Sequence, residues 1–461
     1  MGTVNSSFNL SDILSAFSSS QGINVQAAVA AAIAAESGPL NEWEQEQAAL
    51  QSQTGDINVI EGNITTLQNA LTALSDPAGT LLSMTSSSSD SSVVTASVAP
   101  GATSGNHVVE VNSVATTGSW YSDSVASGDT PLGDGGFTLQ VGSNAPLQIT
   151  YGPDASAGTL NDLASYINGL GAGVTANVVN DSSGARLSIV SNSSGAANDI
   201  TISGETGLNF TRSSTGADAS LSVDGIPIDS ASNTVSGVIP GVTFNLVSAA
   251  PGVPVNVSVT EDVGTASQAV SAFVNAYNAV VQNVNQEYTV GANGVQGPLA
   301  GDSTLGILQD MLLGSGAYSN GSTNGVATLA DLGITMNDDG TLTLDSGTLE
   351  SEMQSNFAAV QNFFQGANSN GFANSLTTQL NTMTDPTSGA FTVDLQSISS
   401  ENTDLQSQIN DFQTYLDAQT TLLTAEYNQA DALLQQLPIE EQQIAAELGQ
   451  TGSGGSSGIG G

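Results

Sequence analysis

Apolar residues recur every seven positions near the start of the chain. Trp43, Leu50, Ile57, Ile64 and Leu71 mark one position of the repeat, and Ile60, Leu67 and Leu74 mark the other. Spacings of three and four lay these residues along one side of an α-helix. The pattern predicts a helix over residues 40–75, stopped at Asp76-Pro77. Ahead of it, residues 23–36 are Ala-rich, with Ile23, Val29 and Ile33 on one broad face and Gly38-Pro39 as punctuation. A matching repeat lies near the other end. Ile409, Leu416, Leu423, Ala430 and Leu437 recur every seven, with Leu405, Phe412 and Leu433 at the companion position. Gln419 and Glu426 interrupt that companion row, and Pro438 is expected to kink or break the helix predicted over residues 398–448.

The period changes between these ends. Residues 85–262 carry short alternating runs such as SVVTASVAPG, HVVEVNSV, FTLQVG and RLSIVS, separated by Gly, Asn and Asp. Such runs read as antiparallel strands and turns. One helical interruption places Leu160, Leu163, Ile167 and Leu170 at helical spacing. The helical period then returns with Val270, Phe273, Val274, Tyr277, Val281 and Val284 on one face. A mixed region over 290–400 follows, where Asp339-Gly340 between apolar alternations reads as a hairpin turn.

The expected class is therefore α+β: a discontinuous helical bundle or coiled coil built from both chain ends, with antiparallel β-rich domains inserted in the middle. The expected divisions are an N-terminal leg (1–38), the first part of the bundle (39–84), and the first part of a β domain (85–118). An inserted β-rich module with one helix (119–204) and the second part of the β domain (205–262) come next. The second part of the bundle with its hairpin (263–419) and a C-terminal leg with a Gly/Ser tail (420–461) complete the chain. Trp43, Leu50, Ile57, Ile64, Leu71, Leu405, Ile409, Phe412 and Leu416 are the expected bundle seam. Ile23, Val29, Ile33, Leu423, Leu433 and Leu437 are the expected docking or self-assembly positions, because the extreme ends hold too few apolar residues to fold alone and would order on a partner.

Charge changes this picture by elimination. The 461 residues include 43 Asp and Glu but 2 Lys and Arg, a net charge of −41. The two bases are Arg186 and Arg212, so there is no lysine. A nucleic-acid partner requires many phosphate-neutralising bases, and an anionic membrane surface requires the same; neither is expected. Near pH ~3 the carboxylates would be largely protonated and the chain close to neutral. That suits an acidic medium, with lineage-wide compositional bias as the alternative. A hydrophobic content of 39% separates the chain from disordered acidic sequences. With no cysteine there is neither a disulfide nor a thiolate metal site. The start, MGTVNSSFNLSDILSAF, lacks the basic and apolar regions of a cleaved secretory signal.

Catalytic chemistry is thin. His107 is the one histidine, and no G-x-S-x-G elbow accompanies it. Asn337-Asp338-Asp339-Gly340 lacks the glutamate that a calcium loop needs, since Ser346 stands there. Gly169, Gly171 and Gly173 follow a helix, where a phosphate loop must precede one. No catalytic residue, cofactor or metal site is expected. Each arginine is expected to meet a carboxylate.

Several segments, in order, resemble the bacterial flagellar filament cap family (FliD, hook-associated protein two). They are GINVQAAVAAAIAAESGPLNEWEQEQAALQSQ, then TLNDLASYINGLGAGVTANVVNDSSGARLSIVSNSSGAANDITISG, then DASLSVDGIPIDSASNTVSGVIPGVTFNLVS with VSAFVNAYNAVVQNVN. GPLAGDSTLGILQ, LADLGITMNDDGTLTLD and MTDPTSGAF complete the series. The resemblance implies a non-enzymatic assembly factor at the flagellar tip, outside the cell, exported through the flagellar channel without a cleaved signal. It implies a ring-like homo-oligomer with leg-like terminal helices, flagellin and hook–filament junction proteins as partners, and an export chaperone before secretion. Relatives usually carry Lys and Arg along the terminal helices where Gln, Asn and Ser stand here, so contacts between subunits are expected to be apolar or neutral. Another axial component, such as flagellin or a junction protein, a secreted adhesin and an acid-active hydrolase are the competing readings.

Overall fold

The structure, a computed structural model, describes residues 24–451 apart from 156, 292–293, 324 and 367–369. Ile23 and the Gly/Ser tail lie outside the described residues. Helix α1 (Val25–Glu36) opens at Asn24, whose side-chain oxygen accepts from Ala27 N, filling one of the unpaired first-turn donors. Helix α2 (Gly38–Ser75) follows at once with Pro39 in its first turn, where a missing N–H costs nothing. Its heptad row is buried from Leu50 to Leu74.

Strands β1 (Met84–Ser88), β2 (Val94–Val98) and β3 (Gly105–Ser113) begin a sandwich. The chain then leaves it for an inserted module. That module holds β4 (Ser119–Ser122), β5 (Gly135–Val141), β6 (Leu147–Tyr151), helix α3 (Leu160–Gly169), β7 (Val174–Asp181), β8 (Gly184–Ser191), β9 (Ile200–Thr206) and β10 (Phe210–Ser214). The chain returns to the sandwich with β11 (Ala219–Val223), β12 (Ile226–Ser230), β13 (Thr234–Ile239), β14 (Val242–Leu246) and β15 (Val255–Glu261). The helical part resumes with α4 (Val263–Tyr288) and α5 (Ser303–Gly316). The short hairpin β16 (Ile334–Met336)–β17 (Leu342–Leu344) follows, then α6 (Ser346–Gln365), α7 (Phe372–Thr384) and α8 (Ala390–Thr451).

The sandwich packs the five-stranded sheet β1-β15-β3-β11-β12 on the three-stranded sheet β13-β14-β2. Alternate residues such as Val109, Val111, Leu221, Phe244, Val255 and Val257 point into one core, the period-two burial that a sheet pleat dictates. The module has its own core between β10-β4-β8-β7, β6-β5-β9 and α3. Every strand pair in both is antiparallel. The helical body forms a third core, in which α2 packs on α4, α7 and α8. Tyr277 is fully buried there; its hydroxyl donates to Leu312 O at 2.8 Å, and burial pushes its pKa up to about 12.

Local chemistry fixes the helix starts. Asp262, Asp302 and Asp345 accept from backbone N–H groups at the starts of α4, α5 and α6. Asp385 does comparable work just before α8. Its Oδ1 accepts from the N–H and hydroxyl of both Thr387 and Ser388, and these bonds hold its carboxyl down to about 2.

Two expected boundaries differ from the structure. α8 runs unbroken across the boundary expected at 419/420, and Pro438 lies inside it without ending it, within the helix expected over 398–448. A proline removes one N–H bond and crowds one carbonyl, and flanking turns of Leu, Gln and Glu can bridge that loss. The module does not end at 204, because β9 runs through that position and Leu208 and Phe210 belong to its core. The Phe210 ring meets that of Phe137 at a tilt, with centroids 4.6 Å apart. Leu170 follows the end of α3 at Gly169 and is exposed, while Leu160, Leu163 and Ile167 are buried.

Candidate functional site

The seam between the two chain ends is the surface that the heptads announce. α2 and the first half of α8 run antiparallel. Leu50 packs with Leu405 and Ile409 in a small separate core, with Trp43, Leu40 and Ile398 around it. Trp43 meets Phe412 edge-on at 5.4 Å, and Phe412 stacks on Tyr415 at 5.6 Å. Gln47 Nε2 donates to Gln406 Oε1 at 2.8 Å across the seam, and Gln68 Nε2 donates to Asn381 and Thr384 on α7. Neutral amides stand where ion pairs would ordinarily flank such a seam.

The ion pairs among the described residues lie elsewhere. Arg186 bonds Asp181 and Arg212 bonds Asp199, both at 2.8 Å and both within the inserted module, so each arginine meets a carboxylate as expected. His107 Nδ1 contacts Asp224 Oδ2 at 2.9 Å, while Asp224 Oδ1 accepts from Val108 N. Those bonds hold the Asp224 carboxyl below its usual range, with the His107 contact first. Asp224 sits at φ +55 in the β11–β12 turn, so the pair clamps a hairpin. Asp339-Gly340 also makes the turn expected of it, between β16 and β17, with Gly340 at φ +81. Among the described residues no group of three or more His, Cys, Asp or Glu is arranged to hold a metal. No described helix is long and apolar enough to cross a membrane.

The expected seam residues divide between two cores: Ile57, Ile64 and Leu71 lie in the large helical one, and Leu50, Leu405 and Ile409 in the small one. Leu50, Ile57, Ile64, Leu71, Leu405, Ile409 and Leu416 are buried, and Trp43 and Phe412 are half-buried. The expected docking positions divide. Val29 is buried within the chain, in α1, which packs along α8. Ile33 and Leu423 are half-buried. Leu433 and Leu437 stand 64% and 53% exposed on the distal half of α8. The structure adds Leu434, Ile439, Ile444 and Leu448 to that exposed set. Ile444 could have been found by carrying the heptad one step past Leu437, within the helix expected over 398–448.

Two family models match the sequence. Flagellar hook-associated protein 2 N-terminus covers residues 21–118, and Flagellar hook-associated protein 2 C-terminus covers residues 216–438. The inserted module occupies the interval between them. The B-type flagellar hook-associated protein 2 of Pseudomonas aeruginosa PAO1 is 29% identical over 84% of this chain and 87% of its own length. The A-type protein of the same species is 30% identical over 75% of this chain and 79% of its own length. Among solved structures, the D1-D2-D3 domains of the flagellar cap protein FliD from Escherichia coli superpose with a TM-score of 0.61 at 25% identity. They cover 75% of this chain and 99% of that one. The chain belongs to the flagellar hook-associated protein 2 family.

Proposed function

We propose that the chain works as a subunit of the filament cap: copies assemble at the distal end of a bacterial flagellar filament, retain exported flagellin and promote its folding and insertion. The observation that carries this reading is the match to the Escherichia coli cap protein across helical body, sandwich and insert together. In this proposal the three cores are three domains, with the insert running from residue 119 to 214. The N-terminal segment to residue 38, with α1, and the distal half of α8 act as the leg in this proposal. Leu433, Leu437 and their exposed neighbours are its contacts with the filament end or a neighbouring subunit. Flagellin, the hook–filament junction proteins and an export chaperone are the proposed partners. No catalytic role is proposed.

The test is a deletion strain. Cells lacking this chain should keep hooks, lose filaments and release monomeric flagellin, and purified protein added outside should restore growth. The same chain without residues 1–36 should fail to restore it while its β cores stay folded. Normal filaments in the deletion strain would overturn the reading. Loss of the hook itself would point to an earlier axial component.

A further inference from the structure

Two connections join the inserted module to the sandwich, one going out through residues 114–118 and one returning through 215–218. Domains joined by two strands usually hinge. Here the connections are bonded to each other: Thr116 N donates to Ala217 O at 2.9 Å and Thr116 Oγ1 to Thr215 O at 2.7 Å. A loop of the module, residues 194–199, then grips both connections and the sandwich. Gly195 N donates to Thr116 O on the outgoing connection at 3.1 Å. Asp199 Oδ1 accepts from Gly216 N on the returning one at 2.8 Å. Asp218 Oδ1 accepts from Ala196 N at 2.7 Å, and Ser194 Oγ donates to Ala231 O, beyond β12 in the sandwich, at 2.7 Å.

One of the chain's two bases is committed to this loop. Arg212 Nη1 donates to Asp199 Oδ2 at 2.8 Å and Nη2 to Ile200 O at 3.0 Å, while its guanidinium lies 4.9 Å from the centre of the Trp120 ring. Trp120 Nε1 donates to the same Ile200 carbonyl. Asp199 is thus held on one side by the module and on the other by the returning connection. The approach is close: a Cβ at Gly118 would stand 2.6 Å from Asp199 Oδ1, and one at Gly195 would stand 2.8 Å from Ala231 Cβ. A side chain at either place would force the loop off the junction.

We infer that residues 194–199 are a bracket that locks the module at one angle to the sandwich, with Arg212 as the positioning residue that holds Asp199 in place. The pair then moves as one rigid plate. This is a property of the single chain and holds whether or not the cap reading does.

The absence of cysteine makes the test direct. Ser165 on α3 and Asn256 on β15 are exposed, and Ser165→Cys with Asn256→Cys provides two sites for spin labels. Pulsed dipolar spectroscopy on the full chain should give one narrow distance distribution. Asp199→Ala with Asp218→Ala should widen it at least about twofold, the return of ordinary inter-domain motion, while thermal unfolding shows all cores folded. Arg212→Gln should widen it less. Arg186→Gln, which breaks the other arginine pair inside the module, should leave it unchanged. Should the double variant not fold, Ser194→Ala touches neither core and should also broaden the distribution. A broad distribution in the parent, or an unchanged width in every bracket variant that folds, would overturn the inference.

Discussion

The two halves of α8 carry one heptad repeat and meet opposite fates. Leu405 and Ile409 lie against Leu50 of α2, and they and Leu416 are closed off from solvent; Leu433, Leu437 and Ile444 continue the pattern and stand open. Periodicity states only that a helix face needs a partner. It does not say whether that partner is the same chain. The proximal half finds its partner some 350 residues earlier, as the Gln47–Gln406 bond across 359 positions makes plain. The distal half has bare apolar side chains over several turns, a pattern that marks an interaction site.

The largest effect should come from charging the open half. Leu433→Asp with Leu437→Asp should abolish filament growth in the complementation assay, yet shift monomer stability by no more than about 0.5 kcal/mol, as exposed positions do. A large fall in the unfolding midpoint would mean that the distal half is already packed in solution. The mirror change is Leu405→Ala. Truncating a buried leucine should cost about 2–4 kcal/mol, read from chemical denaturation, because the cavity would open in the small core with Leu50 and Ile409. If both variants behaved alike, the contrast between the halves would be false.

A finer test concerns where the closed half ends. Trp43 and Phe412 are both half-buried and meet edge-on. A double-mutant cycle with Trp43→Leu and Phe412→Leu should return a coupling of about 0.5–1.5 kcal/mol, in the lower part of that range because water reaches both rings. Zero coupling would place the end of the closed half nearer Ile409.

Much of this architecture was legible in the sequence, for a physical reason. Heptad and alternating periods follow from helix and strand geometry, so the seam residues, the α4 face and the β character of the middle could be read residue by residue. The ends of elements were not legible in the same way. Pro438 has the covalent features of a helix breaker, but whether the helix stops depends on the turns around it. The module boundary at 204 failed because β10 is short and polar apart from Phe210, whose burial depends on the distant Phe137. The bracket at Asp199 had no sequence signal at all: its partners lie at 116, 212, 216, 218 and 231, joined only by the fold.

The smallest effect concerns how the closed half is anchored at its start. Asp385 is solvent-facing, and its pKa is drawn down to about 2, first by the Thr387 hydroxyl, then by the Thr387 and Ser388 N–H groups. A carboxyl depressed in the folded state favours folding where it is ionised. That contribution is present above its unfolded value near ~4 and is lost as pH falls through about 2. Asp385→Ala should therefore lower the unfolding midpoint at pH 6, and the gap between the two proteins should close as the pH is taken down toward 2. Other carboxylates with lowered pKa values, Asp262 and Asp345 among them, titrate in both proteins and cancel in the difference. A gap that stayed constant down to pH 2 would show that the side chain acts by shape rather than by charge. The anchor of the closed half would then owe nothing to the ionised carboxylate, and the difference between the two halves of α8 would rest on apolar packing alone.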